Sequence, residues 1–408
     1  MRRVVITGMA GLTSIGQNWT SVERNLRAKK SGIVRMSEWD RFQGLNTRLG
    51  GPIPDFQVPP YYNRKKTRSM GRVALLAVYA TELALQDAGL LNDAEIQSGN
   101  TGIAYGSSTG STESFSVFGR MLDSGVMQGL TATTYIKMMA HTGAVNIGLF
   151  FGITGRIIPT CTACTSGSQA IGYAYETIKH GYQTIMIAGG AEELCPTQAA
   201  VFDTLYATST QNDYPYLTPR PFDKDRDGLV IGEGAGTIIL EDMEHAKARG
   251  ANIYAELVGF ATNSDGAHVT QPAIGTMQSA MKQALTDAKL SPGSIGYINA
   301  HGTATEHGDI AESHATYNIF GGKIPVSSLK SYLGHTLGAC GALESWLSIQ
   351  MMRHDWYAPT INLVTLDPRC AELDYIVGNG RVLNNEYVMN NNFAFGGINT
   401  SLIFKRWH

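Results

Sequence analysis

The chain has 408 residues, 43% of them hydrophobic and 16% charged, with a formal net charge of −2 and five cysteines. That length suits two to three domains, the balanced charge leaves no global basic footprint for nucleic acid, and few, odd-numbered cysteines suit a reducing, cytoplasmic compartment better than a disulfide scaffold. No run of 18 apolar residues occurs, so no membrane span is expected.

Met1-Arg2-Arg3 followed by an apolar run superficially resembles a signal peptide, but Thr7 and Gly8 break the run, so Val4 to Gly8 reads as a first strand. Ser21 to Leu26 reads as helix. Residues 36–63 hold four prolines and read as an irregular excursion. Arg64 to Arg72 carries five basic residues in nine and leads into an apolar helix, Val73 to Ala88. Cations at a helix start oppose its dipole, so Arg64, Lys65 and Arg68 point to an acidic partner. Thr101 to Tyr105 is a strand that ends in the small-residue loop Gly106 to Ser111. Residues 131–151 are rich in apolar side chains, either core or subunit interface.

The stretch Gly155 to Gly172 reads as a short β-branched strand, a tight turn and then a helix with Ala170, Ile171, Ala174 and Ile178 at helical spacing. Cys164 falls where strand hands over to helix, beside unpaired N–H groups and the positive dipole end. Such a position lowers a thiol pKa and enriches the thiolate, so Cys164 is the candidate nucleophile. Cys161 and Cys164 also form a CxxC. Without a second CxxC or an HxxxH a zinc site is disfavoured, while a redox dithiol stays open on spacing alone.

Thr184 to Ala188 is the next strand. Gly232 to Gly236 invites a dinucleotide reading, but it runs into the strand Thr237 to Leu240 rather than a helix, which excludes that motif. A second half follows: strand Ile253 to Val258, helix Ala280 to Ala288, strands Gly296 to Asn299 and Ile324 to Ser327, and two strand-like pieces between Val388 and Phe404 around Phe393 to Gly397. Strand-then-glycine-loop patterns in both halves hint at internal duplication. His301 and His335 both follow predicted strands, where ligands of α/β sheets bind. Three reactive groups at such ends have a plausible route to one site.

These residues carry a family resemblance. Thr162 to Gly167, Asn299 to Thr303, Lys330 to Glu344 and Phe393 to Asn399 are similar to the motifs of the β-ketoacyl-acyl-carrier-protein synthases, condensing enzymes of the thiolase superfamily, and the similarity runs nearly end to end. It implies an α/β, five-layered αβαβα fold with two pseudo-equivalent halves, 1–245 carrying the nucleophile and 246–408 carrying both histidines, in a homodimer. It implies Cys164 as acyl carrier, His301 and His335 as the histidine pair, Lys330 as supporting cation with Glu344 as its buried partner, Thr303 and Thr305 as pantetheine ligands, and Phe395 as gate, its N–H joining that of Cys164 in an oxyanion hole. The implied partner is an acidic acyl-carrier protein docking on Arg64, Lys65 and Arg68, with no metal or organic cofactor. The implied reaction is decarboxylating condensation of an acyl-cysteine with malonyl carrier, in fatty-acid elongation or, alternatively, in a dedicated polyene or polyketide pathway.

Phe395-Gly396-Gly397 stands where a thiolase, the remaining alternative, has a second catalytic cysteine, and thiolases lack the His-Gly-Thr loop. The chain departs from the family at Cys161, Ala304, Glu306, His307, Ala394 and Ile398, which bears on substrate rather than reaction. By the same resemblance Ser107, Ser108 and Thr109 border the acyl channel, with Phe202 as an aromatic wall. Small hydroxylated side chains there predict a long channel with unpaired hydroxyls, tolerant of unsaturated or aryl-capped chains.

Overall fold

In the computed structural model, which describes residues 1–408, eleven strands are hydrogen-bonded into one ribbon. They are β1 (Val4–Leu12), β2 (Thr101–Gly106), β3 (Ile157–Thr160), β4 (Ile185–Glu192), β5 (Gly234–Asp242), β6 (Ala255–Ser264), β7 (Tyr297–Asn299), β8 (Pro325–Ser327), β9 (Asp374–Tyr375), β10 (Tyr387–Ala394) and β11 (Ile398–Arg406). The ribbon is two copies of one design. In the first, the order is β3-β2-β4-β5-β1; in the second, β8-β7-β10-β11-β6, with β9 added at the edge. Parallel and antiparallel pairings match strand for strand between the two. The copies meet where β1 and β6 pair antiparallel over Val4–Leu257, Val5–Glu256 and Ile6–Ala255. Shared topology is therefore the duplication that residue identity is too low to reveal.

Helices complete five layers, αβαβα. On one outer face, α1 (Arg72–Asp87) and α2 (Thr142–Phe151) pack through Val73, Leu76, Ala77, Ala144 and Ile147 onto β2 and β4. On the opposite face, α5 (Ile274–Ala288) and α6 (Glu306–Phe320) pack through Met277, Met281, Leu285, Ala311 and Ala315. Between the sheets lie α3 (Ser166–Lys179) and α7 (Cys340–Arg353), joined in the largest apolar cluster through Ala170, Ile171, Ala174, Ala342, Leu343 and Trp346. Every residue of α7 from Cys340 to Met352 is buried, as a helix sandwiched on all sides requires. The seventh labelled helix is α4 (Pro196–Asp203), beside β4.

Several elements run longer than the sequence indicates. β4 continues past Ala188 through Gly189 and Gly190 to Glu192. Those glycines read as a strand end, yet a Cβ at Gly190 would meet the Gly338 carbonyl at 2.3 Å. Gly190 lets the middle layer approach the strand, whereas a Cβ at Gly189 would meet the Gly236 carbonyl of the neighbouring β5 at 2.0 Å. Likewise β1 reaches Leu12, with a bulge between Ile6 and Gly8. The excursion 36–63 contains a short helical turn at Ser37–Arg41 and a three-residue strand at Leu49–Gly51.

Candidate active site

Cys164 sits in a one-turn 3₁₀ segment, Ala163–Thr165, directly ahead of α3. Ala163 has φ +49°, a left-handed conformation that costs a non-glycine residue about 1–3 kcal/mol. Local hydroxyls hold the turn: Ser166 Oγ donates to the Ala163 carbonyl at 2.7 Å, and Thr165 Oγ1 donates to that of Thr162 at 2.8 Å. The second half repeats the device. Leu337 has φ +45° and opens the 3₁₀ segment Leu337–Ala339, directly ahead of α7. The two segments face one another in the middle layer, where a Cβ at Gly167 would meet the Gly338 carbonyl at 2.8 Å.

That arrangement brings three side chains together. His335 Nε2 lies 2.9 Å from Cys164 Sγ. The rings of His301 and His335 meet edge to face with centroids 5.1 Å apart. All three residues are buried and all line one cavity of about 590 Å³. Burial, then the Lys330 charge, hold both imidazoles well below their ordinary pKa, with His335 a further contributor at His301. Both rings are therefore neutral. His335 Nδ1 has no partner within the chain, so either tautomer fits and Nε2 is free to accept from or donate to the sulfur side.

The thiol departs from the expected enrichment of thiolate. Burial pushes Cys164 up to about 11, against the pull of the Phe395 N–H, the Lys330 charge and its own N–H. Desolvation outweighs the helix start because the sulfur is enclosed rather than on a rim. The resting group is thus a thiol with a proton acceptor beside it. The two N–H groups already directed at Sγ, from Phe395 and Cys164, form the pair of donors an oxyanion needs.

Lys330 and Glu344 form a fully buried ion pair, and the second Glu344 oxygen accepts from Asn392 Nδ2 at 2.7 Å. Asn392 also reaches His301 Nδ1, at 3.5 Å. Thr303 and Thr305 line the cavity and share a 2.8 Å hydroxyl contact. Phe395 lines it too, edge-on to Phe202 of α4 at 5.7 Å. Arg64, Lys65 and Arg68 are exposed on and beside the short turn Arg64–Thr67, and none lines the cavity. The neighbouring Lys66 rests over the Phe150 ring of α2 at 4.7 Å.

The hydroxyl loop after β2 differs from expectation. Ser108 does not line the cavity. Its N–H donates to the buried Glu192 at 2.8 Å, and Ser107 Oγ and Thr109 Oγ1 donate to the same carboxylate at 3.3 and 3.4 Å. These hydroxyls are satisfied rather than left for an acyl chain, which removes the desolvation argument for polyene tolerance. Cys161 is exposed with Sγ on the Ser108 carbonyl at 3.4 Å, and all five cysteines are free thiols.

Sequence reasoning missed two carboxylates. Glu312 accepts from the His301 and Gly302 N–H groups, both at 2.7 Å, and burial pushes it up to about 8. Asp309 accepts from Phe222 N–H at 2.7 Å and pairs with the buried Arg226 at 3.5 Å. Their i, i+3 spacing at the start of α6 places both beneath the His301 loop, and that spacing, next to His-Gly-Thr, was the available signal.

Comparison with known proteins identifies the family. The model described as Beta-ketoacyl synthase, N-terminal domain, matches residues 1–246, and Beta-ketoacyl synthase, C-terminal domain, matches 254–364. A 3-oxoacyl-[acyl-carrier-protein] synthase 2 of Synechocystis is 37% identical, covering 100% of this chain and 98% of its own. A crystal structure of a beta-ketoacyl synthase from Burkholderia phymatum is 61% identical with a TM-score of 0.99, covering 100% of both chains. A type II polyketide acyl-carrier protein in complex with its ketosynthase bound to the hexaketide shows 31% identity and a TM-score of 0.87, again over 100% of both chains. With its duplicated sheets, its buried Cys-His-His cluster and relatives matched from end to end, the chain belongs to the beta-ketoacyl synthase family.

Proposed function

We propose that the chain condenses an acyl group held on Cys164 with malonyl-acyl-carrier protein, releasing CO₂ and forming 3-oxoacyl-acyl-carrier protein, in fatty-acid elongation. The observation that carries this reading is the 2.9 Å contact between Cys164 Sγ and His335 Nε2 with two backbone N–H groups on the same sulfur. In the first half-reaction Cys164 attacks the carrier thioester, its proton passing to His335 Nε2 and on to the departing carrier thiol. The Cys164 and Phe395 N–H groups hold the tetrahedral oxyanion. In the second, the malonyl thioester oxygen lies between the neutral imidazoles, which donate hydrogen bonds as CO₂ leaves and an enolate forms. A neutral imidazole stabilises that oxygen without first losing a proton. Burial keeps both rings neutral, and the charge of Lys330, fixed by Glu344, adds to that effect. The enolate carbon then attacks the acyl-Cys164 carbonyl, the tetrahedral intermediate breaks its C–S bond to expel the Cys164 thiolate, and one proton taken up from solvent through the cavity restores the thiol. Every group the scheme calls for is a side chain or N–H of this chain, so it needs no metal or organic cofactor.

The cavity, from Thr303 and Thr305 to Cys164, suits a pantetheine arm, and the exposed cations Arg64, Lys65 and Arg68 supply an acidic carrier with a docking surface. A homodimer is supported by β3, whose outer edge is unpaired at the end of the ribbon, and by the nearby exposed Leu149 and Ile157. Such an edge invites pairing with a second copy. No helix is long and apolar enough to cross a membrane, and five free thiols suit the cytoplasm. A dedicated polyketide pathway is the alternative, favoured by the likeness to the hexaketide-bound ketosynthase. Intact-mass detection of an acyl adduct on Cys164, from carriers bearing saturated and polyketide chains, tests the reading. Absence of any adduct would refute it, and adducts from the polyketide chains alone would move it to the alternative.

A further inference from the structure

The three groups at the cavity floor have a second capacity that acyl transfer does not use. We propose that Cys164, His301 and His335 also form a reversible binding site for a borderline-soft divalent cation of the zinc type, which competes with the acyl group. Their ligand atoms all lie within 4.8 Å of one another, and Sγ and His335 Nε2 are 2.9 Å apart. Zinc bonds sulfur at about 2.3 Å and imidazole nitrogen at about 2.0–2.1 Å in a tetrahedron, which separates ligand atoms by roughly 3.3–3.6 Å. Small side-chain rotations, opening one contact and closing the others, reach that geometry.

The chemistry selects the ion. One sulfur and two imidazole nitrogens favour zinc-like metals over magnesium or calcium, which want oxygen. No carboxylate joins the tripod, so a hard cation finds no oxygen ligand in it. Three protein ligands and one open position on a solvent-reached cavity match the pattern of zinc sites that exchange ligands. Two buried polar atoms without partners adjoin the tripod: His335 Nδ1, and Oδ1 of the Asn392 amide that faces His301. A proton on His335 Nδ1 leaves the Nε2 lone pair for the metal. Binding converts the Cys164 thiol to a metal thiolate and releases one proton to solvent, with no change of oxidation state. Inhibition as the consequence rests on the acyl-transfer reading; binding itself does not.

Titration of the wild-type protein with Co²⁺ under anaerobic conditions tests it directly. A thiolate-to-cobalt charge-transfer band should saturate at one equivalent, release one proton per metal, and vanish when Zn²⁺ is added. Cys164→Ser should remove the band and weaken Zn²⁺ binding at least 100-fold, and His301→Ala and His335→Ala should each weaken it at least tenfold. Wild-type protein already acylated on Cys164, which needs no substitution, should not bind. A wild-type protein without the band, or Zn²⁺ affinity unchanged by Cys164→Ser or by acylation, overturns the proposal. A protein that binds the metal but never accepts an acyl group upholds it and sinks the acyl-transfer reading instead.

Discussion

The two halves of the molecule share strand order, pairing sense and the turn that follows the third strand, yet they have divided the chemistry between them. In the first half that turn is Ala163–Thr165, with Cys164 at its centre; in the second it is Leu337–Ala339, with Gly338 at its centre. The position equivalent to the nucleophile has lost its side chain, and His335, three residues earlier, has taken over the space beside the sulfur. The loops after the second strands diverge likewise. After β2, Ser107 and Ser108 are tied to Glu192, which burial pushes up to about 7; after β7, His301 and Gly302 are tied to Glu312, which burial pushes up to about 8. One loop is scaffold and the other presents a reactive ring, although each rests on a buried carboxylate. Duplication thus supplied two helix starts aimed at one point, α3 and α7, and divergence at a few positions decided what each would offer there.

The largest expected effect comes from deleting the reactive group of the first half. Cys164→Ala should lower condensation by at least about 10⁴-fold while malonyl decarboxylation persists, because that step belongs to the second half. Chain elongation at a normal rate by this variant would break the division. Emptying the second half is the converse. His301→Ala and His335→Ala should each lower malonyl decarboxylation by roughly 10²–10³-fold, with a smaller loss in acylation of Cys164, as followed by released CO₂ and by intact mass. Since burial and Lys330 hold both imidazoles well below their ordinary pKa, wild-type decarboxylation should keep its rate as pH falls through 6, the rings remaining neutral. A rate that collapses near the usual histidine value would contradict the neutral pair.

The contact between the halves can be tested without touching either reactive group. A Cβ at Gly338 would meet Ser108 N at 2.7 Å and Glu192 Oε2 at 2.8 Å. Gly338→Ala should therefore destabilise the fold by about 1–3 kcal/mol in urea titration and slow acylation by up to about 10²-fold as the turn moves. Unchanged stability would show that the two turns are less tightly locked than the distances say. The smallest effect is expected at the periphery. Charge reversal at Arg64 and Lys65 should raise the Michaelis constant for a carrier-bound substrate severalfold and flatten its salt dependence, with small pantetheine thioesters unaffected. An unaltered salt profile would place carrier docking elsewhere.

Much of this was legible in the chain itself. Short apolar or β-branched runs located β1, β2 and β3, an apolar run located α1, and the helical spacing of Ala170, Ile171, Ala174 and Ile178 located α3, since apolar residues that face a core must follow the geometry of their element. Cys164, His301 and His335 stood out because each follows a predicted strand, where side chains reach a common crevice, whereas Lys330 was singled out only by the family resemblance. What remained hidden depended on atoms far apart in sequence. Gly190 of β4 looks like a strand end until Gly338 is seen against it. Asp309 and Glu312 look like ordinary acidic residues of a helix start until the His301 loop folds back onto their oxygens. The thiol pKa is the clearest case. The sequence by itself determined that a cysteine sits at a helix start, which favours thiolate. Only the tertiary structure decided that enclosure by both halves outweighs that field and holds the resting sulfur protonated, because desolvation depends on everything packed around a group rather than on its neighbours in the chain.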